Sequence, residues 1–91
     1  MSERRRARVL VRGRVQGIGF RATARSRARS LGIGGWVRNN VDGSVEAELE
    51  GARGRVELAI AWFGRGPHGA RVDDVHVEWR EPLGEESFTI R

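Results

Sequence analysis

Hydrophobic residues recur at two spacings along this chain, and the order in which those spacings follow one another constrains the fold more than any other feature. Over residues 8–15, Val9, Val11, Gly13 and Val15 alternate with Arg8, Leu10, Arg12 and Arg14, the period of two that marks a strand with one covered face. From Phe20 the period becomes helical: Phe20, Ala24, Ala28 and Leu31 share a face, and Gly32 supplies the stop. Residues 35–40 predict a second strand, Val41-Asp42-Gly43 carries an Asp-Gly turn signal, and Val45, Ala47 and Leu49 alternate with Glu46, Glu48 and Glu50 in a third strand. That alternation predicts a sheet with one buried and one wet face, the glutamates lying on the wet one. Val56, Ala59, Ile60 and Phe63 mark a second amphipathic helix that ends near Gly64-Arg65-Gly66-Pro67. A fourth strand follows, with Val75, Val77 and Trp79 inward and Asp74, His76, Glu78 and Arg80 outward, and Phe88-Thr89-Ile90 closes the chain as a short strand.

The order strand, helix, strand, strand, helix, strand is that of the split βαβ, ferredoxin-like sandwich, an α+β fold with two helices on one face of a four- to five-stranded, mainly antiparallel sheet. At 91 residues the chain fits one domain. Residues 1–7 are expected to form a flexible basic tail and 8–91 the domain itself. No apolar run approaches the ~20 residues of a membrane helix. The basic N-terminus leads into three apolar residues, Val9 to Val11, too few for a signal-peptide core, so a cytoplasmic location is expected. The absence of cysteine excludes disulfides, thiolate catalysis and cysteine-held metals, and two histidines, His68 and His76, leave almost no other metal-site material.

The net charge of +5 suggests a polyanionic partner until its distribution is read. All 17 basic residues are arginine; eleven lie in residues 1–38 beside the single acid Glu3, whereas residues 39–91 hold six against eleven acids. Codon bias accounts for arginine without lysine but not for the asymmetry. Arg25, Arg27 and Arg29 read as a solvated stripe.

The informative stretch is Gly13-Arg14-Val15-Gln16-Gly17-Ile18-Gly19-Phe20-Arg21. A glycine-rich turn from strand into helix can aim consecutive N–H groups into one concavity, and the helix N-terminus adds free donors and a partial positive charge. Such a turn binds anions, although glycine spacing alone is a weak sign. Arg21 sharpens it. A guanidinium in the first helical turn opposes the macrodipole by ~0.3–1 kcal/mol, and no acid lies nearby in sequence, so an anion held bidentately resolves the conflict.

These nine residues, followed by Gly35-Trp36-Val37-Arg38-Asn39, Asp42-Gly43-Ser44-Val45-Glu46 and Gly51, resemble the paired signatures of the acylphosphatases. The resemblance continues through Trp62, Gly66-Pro67, Ala70 and Val72 to Phe88-Thr89-Ile90. It implies the ferredoxin-like fold, no cofactor and no metal, and hydrolysis of a small acyl phosphate to a carboxylate and inorganic phosphate. It implies phosphate binding by the loop amides of Val15, Gln16, Gly17, Ile18, Gly19 and Phe20 and by Arg21, with Arg21 and Asn39 as the catalytic residues and Asn39 positioning the attacking water. Gly19 stands where the family tolerates many residues.

The chemistry is consistent with that assignment. Phosphoryl transfer asks mainly for positioning and charge stabilisation, and a carboxylate leaving group needs little help from a general acid. Trp36 and Trp79 are expected to be strand core or partly covered surface rather than base-stacking platforms, Trp62 to lie on a helix flank, and His68 and His76 to be solvated. A monomer without nucleic-acid or membrane partners is expected. The competing reading is a non-enzymatic anion- or RNA-binding module on the same fold, which would need exposed aromatics on the open sheet face, where the third strand presents glutamates. A carbamoyl-phosphate domain of a larger maturation enzyme is a further alternative, disfavoured by the chain ending soon after its last strand.

Overall fold

The computed structural model describes residues 3–91. Its elements are β1 (Arg4–Arg14), α1 (Phe20–Ser30), β2 (Gly34–Asn39), β3 (Val45–Ala52), α2 (Arg53–Arg65), β4 (Arg71–Arg80) and β5 (Phe88–Ile90). The strands form one sheet in the order β4-β1-β3-β2-β5, antiparallel throughout except that β5 runs parallel to β2. Periodicity decides which face is covered. Ala7, Val9 and Val11 of β1, Val37 of β2, Val45, Ala47 and Leu49 of β3 and Phe88 of β5 are buried in one core with Ala24 and Ala28 of α1 and Val56, Ala59 and Phe63 of α2. Both helices therefore share one sheet face, α1 over β2 and β5 and α2 over β1, β3 and β4. No helix among the described residues is long and apolar enough to cross a membrane.

The opposite face departs from expectation. Residues 4–7, expected in a flexible tail, form the first part of β1 and pair with Leu49 to Ala52; Met1 and Ser2 lie outside the described residues. The glutamate row expected to be wet is largely covered, with Glu50 and Arg6 at 0% and 1% exposure. Arg6 donates to Glu48, Glu50 and Glu85 at 2.5, 2.8 and 2.7 Å. Arg8 bridges Glu46 and Glu78, and Arg38 reaches Glu46 from the other side. The segment 83–85 lies across this ladder, donating the Leu83 and Gly84 N–H groups to Glu50 at 2.8 Å each. A polar alternation predicts solvent only if the charges lack partners; here cross-strand guanidinium and carboxylate neutralise each other and the covering segment desolvates them.

Trp79 lies opposite core residue Ala7 at the end of the edge strand β4 and, as partly covered surface, is 48% exposed, with the Arg5 guanidinium 5.9 Å from its ring centroid. Trp62, expected at a helix flank, is buried in an aromatic cluster with Phe20 and Phe63, its ring centroid 5.3 Å from each.

The ladder has a pH signature. Burial works against ionised Glu50, but the Leu83 N–H, the Arg6 and Arg4 guanidiniums and the Gly84 N–H outweigh it and lower its pKa to about 2. The unfolded chain binds the same proton near 4.5. This contribution to stability is therefore complete above about pH 4.5 and is lost as pH falls toward 2. Urea midpoints should drop across that window, and Glu50→Gln should flatten the drop while lowering stability at pH 7 by about 3 kcal/mol, as expected when one partner of a buried pair is removed. An unchanged midpoint at pH 7 would show that the ladder contributes nothing.

Candidate active site

Between β1 and α1, residues 15–19 form a loop held at both ends by buried side chains, Val15 at 0% and Phe20 at 2% exposure. Phe20 is clamped by Trp62 and Phe63 of α2, so the first residue of α1 is fixed by the core. Gly17 and Gly19 both take φ of +78°, in the left-handed region that a side chain resists. Gly19 is the N-cap of α1 and offers no side-chain cap, and no acid stands in the first turn. A side chain at Gly19 would be strained by that left-handed conformation, although nothing lies within 4 Å of where its Cβ would stand.

The consequence is a set of free donors. Among the described residues no turn or loop hydrogen bond is donated by the N–H groups of Gln16, Gly17, Ile18, Gly19, Phe20, Arg21 or Ala22; the first used is that of Thr23, which bonds to the Gly19 carbonyl at 3.0 Å. Arg21 is half-buried and forms no ion pair with any described carboxylate. The dipole of α1 adds positive potential to the same place.

Most of these residues open onto a cleft of about 220 Å³ lined by Val15, Gly17, Gly19, Phe20, Arg21, Ala22, Asn39 and Ile90. Asn39 ends β2 opposite Val45 in the register, and its Oδ1 is buried without a hydrogen-bond partner among the described residues. An unpaired buried acceptor costs free energy, so this atom is suited to accept a proton donor brought in from solution. The fold thus gathers Arg21, Asn39 and most of the loop into one cavity with a positive side and an orphaned acceptor. Gln16 and Ile18 are not among the cleft-lining residues; Ile18 packs partly against the core. The expectation missed Ala22, whose first-turn position was readable, and Ile90, whose place depends on β5 pairing in parallel beside β2.

An acylphosphatase family model matches residues 7–90. The chain belongs to the acylphosphatase family. An acylphosphatase of Anaeromyxobacter dehalogenans is 52% identical over 92 residues, covering 100% of this chain and 99% of its own length. The solved acylphosphatase structures from Bacillus subtilis and Coxiella burnetii are each 33% identical and superpose with TM-scores of 0.92 and 0.93. The first covers 96% of this chain and 98% of its own, the second 97% and 93%. The enzyme is accordingly an acylphosphatase, a hydrolase that acts on small acyl phosphates and releases phosphate, on a ferredoxin-like α+β fold.

Proposed function

We propose that this acylphosphatase binds the phosphoryl group of its substrate on the N–H groups of residues 15–20 and on the Arg21 guanidinium, and that Asn39 holds the attacking water through Oδ1. The observation that carries the reading is the shared cleft: Gly17, Gly19 and Phe20 with their free N–H groups, Arg21, and Asn39, whose amide oxygen has no partner among the described residues, line one cavity.

In the reaction the water oxygen forms a bond to phosphorus as the bond from phosphorus to the acyl oxygen breaks. The electron pair leaves with the carboxylate. The water proton passes to a phosphate oxygen of the substrate, giving a carboxylate and inorganic phosphate. The loop amides and guanidinium are fixed before substrate arrives, so charge on the equatorial oxygens is stabilised without reorganisation. Asn39 contributes proximity rather than basicity, since an amide side chain is not a proton acceptor at neutral pH.

In this reading the amides and Arg21 supply the charge stabilisation without a metal. Hydrolysis of benzoyl phosphate should proceed unchanged in excess EDTA and be inhibited competitively by inorganic phosphate. Loss of turnover on chelation, restored by a divalent cation, would contradict it. The nucleic-acid alternative is disfavoured by the open sheet face. Trp36, its aromatic there, is 6% exposed, with Arg38 and Arg91 guanidiniums 5.1 and 4.7 Å from its ring centroid, and its glutamates are paired in the ladder.

A further inference from the structure

Gln16 contributes its backbone to the loop, but its side chain is engaged elsewhere. Its Nε2 donates to the Asn40 carbonyl at 2.8 Å and to the Ser44 carbonyl at 3.0 Å, so both amide hydrogens are committed to the turn between β2 and β3. We infer that Gln16 is a positioning residue for hydrolysis, which sets the distance between phosphate and attacking water by tying the phosphate loop to the turn that carries Asn39. The inference rests on the proposed roles of the loop and of Asn39.

The two halves of the site come from separate segments, the β1–α1 loop and the end of β2. The turn is a rigid piece. The Asn40 N–H bonds to the Ser44 carbonyl at 2.8 Å, the Gly43 N–H to the Asn40 carbonyl at 3.1 Å, and Asp42 Oδ1 accepts both the Ser44 N–H and its hydroxyl at 3.0 and 2.6 Å. Hydrogen bonds from Ser44 and Arg12 hold the Asp42 carboxyl at a pKa of about 2, so this arrangement persists at all ordinary pH. Among the described residues no other side chain of the loop, residues 15–19, hydrogen-bonds to this turn. Asn40 directly follows Asn39, so the tie acts one residue from the proposed water-holding amide. A role as phosphate ligand would require the same Nε2 hydrogens to leave two carbonyls.

Gln16→Leu removes the tie and leaves the loop backbone and Arg21 in place. It should lower kcat ~10- to 100-fold, the loss expected when reacting groups drift by about 1 Å, while the inhibition constant of inorganic phosphate stays within about twofold. In an Asn39→Ala background the same substitution should change residual kcat by less than about twofold, because the group it acts through is gone. Gln16→Met, closer in length, provides the same comparison if Leu impairs folding, with circular dichroism reporting the folded fraction. Unchanged kcat in a folded variant, parallel loss of kcat and phosphate affinity, or an undiminished effect in the Asn39→Ala background would each overturn the inference. Full turnover in Asn39→Ala itself would instead remove the underlying reading, which separates the two failures.

Discussion

Replacing Arg21 with Gln is expected to lower kcat/KM for an acyl phosphate by about 10³-fold or more, the scale seen when an arginine that stabilises a transferring phosphoryl group is lost. Inorganic phosphate should weaken in step, because the same guanidinium meets phosphate in substrate, transition state and product. The stability of the variant should move the other way. Arg21 stands in the first turn of α1 against the positive end of the dipole, with no described carboxylate beside it. Glutamine has a similar helix propensity and no charge, so its melting temperature should hold or rise slightly. This combination, a more comfortable helix and a nearly inactive enzyme, distinguishes a functional arginine from a structural one. A variant that loses activity only in proportion to its folded fraction would place Arg21 outside the site.

Asn39→Ala should separate binding from turnover. Phosphate affinity should stay within a few fold, since the loop donors and Arg21 are untouched, while kcat falls about 10²- to 10³-fold through loss of the positioned water. No stability loss is expected, because the substitution deletes a buried acceptor that has no partner among the described residues. Loss of phosphate affinity equal to the loss of kcat would make Asn39 a phosphate ligand and return the origin of the water's orientation to the loop.

The fold was largely readable because each element carries its own period. The step from alternation in β1 to Phe20, Ala24 and Ala28 in α1 is a local property of the chain, and the structure buries those residues. Arg4 to Ala7 were not readable as strand, because Arg6 looks solvated until Glu48, Glu50 and Glu85 are brought to it from segments more than 40 residues away. For the same reason the glutamate row looked wet. Hydropathy reports the cost of burying a charge and not the partner that removes it.

The candidate site divides along similar lines. The glycine turn, the uncapped helix start and the uncompensated Arg21 are contiguous in sequence, so their electrostatic conflict is legible in the sequence alone. That Asn39 faces the same cleft depends on β2 lying where α1 begins, and Ile90 enters only through the parallel pairing of β5. The side chain of Gln16 could not have been placed at all, since its two acceptors are backbone carbonyls of a turn more than 20 residues away.

The central claim, that the free loop donors and Arg21 form one anion-binding cradle, is tested most directly by titrating the ¹⁵N-labelled enzyme with inorganic phosphate and following its amide and guanidinium resonances. The account predicts saturable shifts concentrated in the free N–H groups of Gln16 to Phe20 and in Arg21 Nε–H, with the inhibition constant of phosphate as the apparent dissociation constant. Shifts confined to Arg25, Arg27 and Arg29, or spread evenly over the arginine surface with no saturation at the loop, would contradict it.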